Sequence, residues 1–136
     1  MAFIMDNSVT MSWCFMDEAT EYTESVLNRL RDSSAVVPAI WPLEVSNVLL
    51  LAERRQRITH IKATRFVQVL QELPISIDSE SVSAALGPVL QLGREYGLTS
   101  YDAAYLELAM RRGLPMATLD ERLATAARQA GVVLVD

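Results

Sequence analysis

Four carboxylates in this 136-residue sequence stand where acids from distant parts of a chain can meet: Asp6, Glu44, Asp102 and Asp120. Asp6 ends the apolar run Ala2 to Met5, and Asp120 follows the short apolar stretch around Met116 and Ala117. Glu44 lies two residues after Pro42 and Asp102 three residues after Thr99, both in first turns of helical patterns. Together they would present oxygen donors alone, which select a hard cation such as Mg²⁺ that keeps several waters and takes few carboxylates. A cation held there can acidify a water for attack on phosphorus and neutralise the leaving oxygen. The same positions also suit four independent helix starts, because acids in a first turn are favoured by capping and by the helix dipole. Thr99-x-x-Asp102 and Thr118-x-x-Glu121 both read as capping boxes or close variants. Spacing alone leaves both readings open.

Other chemistries find few players. His60 is the single histidine, sits beside a helix cap and reads as a surface residue, so acid–base catalysis by histidine has no second member. Ser8 lacks a Gly-x-Ser-x-Gly elbow, and no glycine-rich phosphate loop is present. A phosphoacceptor or phosphatase-like site would want a lysine at a strand end, yet the one lysine, Lys62, falls in a helical pattern. The lone Cys14 permits neither an intrachain disulfide nor a cysteine metal site, which makes the cytoplasm the default compartment. The N-terminus has no basic n-region with an apolar core behind it, and no apolar run approaches the ~20 residues of a membrane span.

The elements that must position the four acids follow from periodicity and punctuation. Strands are expected at Ala2–Met5, Ala35–Val37, Ile75–Ile77, around Met116–Ala117 and at Val132–Val135. Helices are expected from about Glu18 to Leu30, from Pro42 to about Arg55, and after Thr59 up to Pro74. Others should run from Asp78–Ser81 to Gly97 with a break near Gly87-Pro88, from Thr99 to Gly113, and from Asp120 to Ala130. Asp6-Asn7-Ser8 reads as a turn. Strands alternating with one or two helices predict an α/β fold with a parallel sheet covered on both faces, and residues 1–136 read as one domain. Ligands of open parallel sheets gather beyond the carboxyl ends of the strands, where these acids would lie.

Net charge is −5, which argues against diffuse attraction to a polyanion, so any contact with nucleic acid must be local. Of twelve basic residues all but Lys62 are arginine. Arg54, Arg55 and Arg57 end the helix that begins near Glu44, and Arg111 and Arg112 end the helix that carries Asp102; last-turn cations also simply complement the dipole. Trp13, Phe15 and Trp41 offer stacking surfaces but fit core packing better.

The chain resembles the PIN-domain family, especially the small VapC-type toxins of bacterial toxin–antitoxin pairs. The resemblance lies in Ile4-Met5-Asp6-Asn7-Ser8, in Pro42-Leu43-Glu44-Val45-Ser46-Asn47, in Leu98 to Tyr105 and in Ala117-Thr118-Leu119-Asp120-Glu121-Arg122-Leu123, which occur in family order across nearly the whole chain. It implies a PIN-like α/β/α sandwich, Mg²⁺ or Mn²⁺ as cofactor, and endonucleolytic cleavage of RNA leaving a 5′-phosphate and a 3′-hydroxyl. All four acids of the pattern are present. On this resemblance Asp6 and Asp102 are expected as principal metal ligands, Asp120 completes the cage, and Glu44 orients a metal water. Ser8 and Thr118 would steady the carboxylates, with plain turn or capping roles as the alternative, and Asn47 would share the pocket one turn after Glu44. Arg54, Arg55 and Arg57 are the candidate RNA contacts. Expected partners are an RNA substrate, a cognate small antitoxin protein and a second copy in a homodimer. The alternatives are an antitoxin-independent RNA-processing nuclease, or a non-catalytic binding module whose acids are helix caps.

Overall fold

The computed structural model describes residues 1–136. Four parallel strands form the centre: β1 (Ala2–Met5), β2 (Ser34–Val37), β3 (Ile75–Ile77) and β4 (Met116–Ala117), in the order β3-β2-β1-β4. Phe3 lies opposite Ala35, Val36 opposite Ser76, and Ile4 opposite Met116. The inner strands β1 and β2 are almost fully buried, which is why they read as continuous apolar runs and not as alternating ones.

The chain builds outward from β1 to β2 to β3, then returns to place β4 on the other side of β1. That reversal opens a crevice beyond the ends of β1 and β4, the usual ligand position in such sheets. Asp6 follows β1 directly, and Thr118 to Asp120 follow β4.

Helices α1 (Asn7–Ser12) and α2 (Glu21–Arg29) connect β1 to β2, and α3 (Trp41–Arg54) and α4 (His60–Glu72) connect β2 to β3. Next come α5 (Ser81–Ala84), a π-helical stretch (Ala85–Val89), α6 (Leu90–Tyr96) and α7 (Ser100–Arg112), with α8 (Glu121–Gln129) after β4. Thr20, Thr59 and Thr99 cap α2, α4 and α7 through their hydroxyls. Gly97 and Gly113 close α6 and α7 at φ +65° and +63°, a left-handed conformation that glycine adopts without penalty. The break expected near Gly87-Pro88 is the π-helical stretch, whose wider turn accommodates the proline's missing N–H. Thirty buried side chains from both faces of the sheet form one core. No helix is long and apolar enough to cross a membrane.

Three expectations need correction. Asp6-Asn7-Ser8 is not a turn but the start of α1, because the Asp6 side chain accepts from the Val9 N–H and caps it. The helix expected from Glu18 starts later, at Glu21, since Thr20 and Thr23 satisfy each other's backbone in a capping box and leave Met16–Glu18 as a separate short turn. The strand expected over Val132–Val135 is only a bridge between Leu134 and Met116, because the two-residue β4 offers too little edge to extend it.

Candidate functional site

Asp6 sits at the carboxyl end of the central strand β1 and is only 4% exposed. Ser8 donates its hydroxyl to Oδ1 at 2.6 Å, Thr118 donates to Oδ2 at 2.6 Å, and the Val9 N–H donates to Oδ1 at 3.2 Å. A carboxylate has about four lone-pair directions, so one remains for a further ligand. Ser8 in turn accepts from the Leu119 N–H and Thr118 from the Asp120 N–H, both at 3.0 Å. Two hydroxyls thus tie the loop after β4 to the carboxylate after β1. Thr118 does not form the expected capping box with Glu121; Asp120 caps α8 by accepting from the Leu123 N–H at 3.0 Å.

The other two acids arrive on helices. Glu44 lies in the first turn of α3, where Pro42 occupies a position that needs no N–H. Asp102 lies in the first turn of α7, its backbone N–H held by the Thr99 hydroxyl at 3.2 Å. The buried Tyr105, one turn further along α7, donates its hydroxyl to Glu44 Oε1 at 2.5 Å. Tyr105 is the positioning residue that the sequence did not single out. Its spacing of three from Asp102 puts both on one face of α7, and that spacing was the available signal. Asn47 and Glu44 line one cavity, as expected from their helical spacing.

The four acids share one field. Burial, above all, raises the Asp6 pKa to about 6 against the opposing hydrogen bonds of Ser8, Thr118 and Val9, and the Asp102 charge raises it further. Burial also pushes Glu44 up, opposed by the Tyr105 hydrogen bond and assisted by Asp102 and Asp6. Asp102 is raised by burial and then by Asp120, with Thr99 and Arg122 opposing. None of the four makes a salt bridge. The protein treats its other buried acids differently. Asp78 receives Arg111 at 2.7 Å and Arg112 at 3.1 Å and is held below the usual carboxylate range, while Glu107 receives Arg111 at 2.6 Å.

No three acidic, histidine or cysteine side chains close into a cage around a common point. The donor set nevertheless fits Mg²⁺, which retains much of its water shell and is held through one or two carboxylates and bridging waters. Oxygens alone, none of them in an ion pair with the protein's own cations, are the donors such an ion prefers.

The arginines divide into two groups. Arg111 and Arg112 are occupied by Asp78, Glu80 and Glu107, a structural use. Arg57 is occupied as well, 2.7 Å from Asp17, 2.9 Å from Glu18 and 4.0 Å above the Phe15 ring centroid. Arg54 and Arg55 are exposed and make no ion pair. His60 is exposed and lies 3.3 Å from Glu53, remote from any base role. Phe15 and Trp41 are core residues, Trp41 donating its ring N–H to Thr10.

Comparison with known proteins agrees with this architecture. Residues 3–129 match the sequence model of the PIN domain. The protein named Ribonuclease VapC3 of Pyrobaculum aerophilum is 27% identical over 124 residues, covering 91% of this chain and 93% of that protein. Among solved structures, VapBC2 from Rickettsia felis bound to a DNA fragment from their promoter superposes with a TM-score of 0.70 at 10% identity, covering 99% of this chain and 98% of its counterpart. FitAcB from Neisseria gonorrhoeae gives 0.65 at 20% identity, covering 100% and 97%. These last two likenesses establish the fold.

Proposed function

Because this chain belongs to the PIN-domain family, we propose that it is an endoribonuclease dependent on Mg²⁺ or Mn²⁺ and the toxin of a VapBC-type pair, its single domain spanning residues 1–136. The observation that carries the metal site is the contrast between the protein's enclosed acids: the buried Asp78 and Glu107 are paired with arginine, whereas the buried Asp6 and the half-buried Glu44, Asp102 and Asp120 make no ion pair and raise one another's fields. Such repulsion persists in a fold when a cation relieves it in the working state. The ribonuclease activity is supported by the relative named Ribonuclease VapC3.

Asp6, Asp102 and Asp120 would hold the ion. When bound, it supplies an acidified water for attack on phosphorus and charge neutralisation at the leaving oxygen. Ser8 and Thr118 fix both oxygens of Asp6, so the remaining lone pair meets the site without reorganisation. Glu44, aimed by Tyr105, orients the attacking water and accepts its proton. The products are a 5′-phosphate and a 3′-hydroxyl. RNA cleavage should require Mg²⁺ or Mn²⁺ and cease in EDTA; undiminished cleavage of total RNA in excess chelator contradicts the metal mechanism.

RNA approach is assigned to exposed arginines, Arg54 and Arg55 foremost, with Arg57 joining only if it leaves Asp17 and Glu18. Neutralising Arg54 and Arg55 together should weaken RNA binding and flatten its dependence on salt by up to about two phosphate contacts. An unchanged salt slope would move the track elsewhere. A homodimer and a small antitoxin with an apolar helix complete the proposal; the protein partner is supported by the neighbour VapBC2, solved bound to a DNA fragment from its promoter. Copurification of a small partner and a dimeric mass in solution test it.

A further inference from the structure

On the reading that this chain cleaves RNA, we propose that the cavity beside Glu44 is a nucleobase subsite that separates the amino bases adenine and cytosine from the keto bases guanine and uracil, with Asn7 and Asn47 as the residues that read the base. The cavity measures about 330 Å³, near the lower end of small-ligand pockets, and therefore suits one ring system and not an extended ligand. Ile40, Leu43 and Val48 give it apolar walls, and Tyr101, 56% exposed, stands at it with a ring face available for stacking. No arginine or lysine lines it, so it does not take a phosphate. Glu44 is shared between this cavity and the acidic site, which puts the base next to the scissile bond.

Asn7 supplies the choice of base. Its Oδ1 is shielded from solvent and is the one buried side-chain polar atom in the protein with no hydrogen-bond partner. A buried acceptor without a donor is costly, and a ligand that brings an N–H relieves it. Asparagine pairs bidentately with an edge that sets an exocyclic amino group beside a ring-nitrogen acceptor. Adenine and cytosine present such an edge; guanine, uracil and hypoxanthine present the reverse order, a ring N–H beside a carbonyl, so an amide held in one orientation pairs with one class and not the other. Asn47 offers a second amide from α3 to the same space.

The test maps cleavage of random-sequence RNA in Mg²⁺ by wild type, Asn7→Ala and Asn47→Ala. Cleavage of matched substrates follows, differing only by adenine against inosine, or cytosine against uracil, at the preferred position. Wild type should favour one of the two classes at one position flanking the cut by about tenfold to one hundredfold. Each variant should bring that ratio towards one. The readout is a ratio within one enzyme, so a general loss of activity cancels, and Asn47, exposed on α3, covers the case in which Asn7→Ala fails to fold. Cleavage without preference between the two classes, or a preference retained by both variants, overturns the subsite and leaves the ribonuclease standing. Failure of wild type to cleave RNA with Mg²⁺ overturns both.

Discussion

Asp102→Asn is expected to lower Mg²⁺-supported RNA cleavage by about 10³-fold or more while leaving the metal-free protein as stable as wild type, or more so. Metal charge stabilisation is worth several kcal/mol at the transition state, and each ~1.4 kcal/mol is a factor of ten in rate. Stability moves the other way because Asp102 is raised by burial and by the Asp120 charge, so removing its charge relieves an unfavourable field. The cap of α7 survives the change: Thr99 accepts from the Asp102 backbone N–H, which asparagine keeps. Were the four acids only helix-start residues, the substitution would cost up to about 1 kcal/mol of dipole energy, equally in EDTA and in Mg²⁺. Cleavage rates and paired thermal melts of the two proteins separate these outcomes.

Metal-free protein should also become less stable as pH rises from about 4 to 7. Asp6 goes from the ordinary 3.8 of an aspartate to about 6 in the folded state, so between those values the folded chain binds the extra proton. A raised acid contributes stability that is full below its unfolded pKa and is lost as pH climbs through its folded one; the loss for Asp6 is about 3 kcal/mol. Asp78 acts in the opposite sense. Its carboxylate is held low by Arg111 and Arg112, so its contribution is present above the normal aspartate value and fades only in stronger acid. Asp6→Asn should flatten the loss between pH 4 and 7. Mg²⁺ should counter it, because metal and proton compete for the same carboxylate and metal affinity rises with pH up to about 6. Denaturant unfolding at several pH values in EDTA, for wild type and Asp6→Asn, checks the sign; stability rising through this window in wild type contradicts a buried, strained Asp6.

Much of the frame was legible because its signals are local. Buried strands β1 and β2 show as apolar runs, and Thr59, Thr99, Pro42, Gly97 and Gly113 mark helix ends by what their backbones can or cannot do. The four acids stood out by their places at strand ends and first turns, the family resemblance and not spacing joined them into one candidate site, and the contacts expected of Ser8 and Thr118 with a carboxylate are those they make with Asp6. What escaped depends on contacts across the chain. Tyr105 meets Glu44 over 61 positions, so its spacing from Asp102 places it on the right face of α7 without announcing its partner. α1 was hidden because Asp6 both ends a strand and caps a six-residue helix, and turn-forming residues look the same in either use. Arg57 read as free cation because its partners, Asp17 and Glu18, lie forty positions away in a turn that periodicity did not resolve.

The shared metal site is tested most directly by thermal melts of the wild-type protein at pH 7.5, in EDTA and with Mg²⁺ at ten times its dissociation constant, run beside Asp102→Asn. One site shared by the four acids predicts that Mg²⁺ stabilises the wild type by about 1.4 kcal/mol, roughly 3–6 °C at this chain length, and leaves Asp102→Asn unmoved. No Mg²⁺ shift in wild type, together with equal destabilisation of Asp102→Asn in both conditions, would contradict it and leave four separate helix starts.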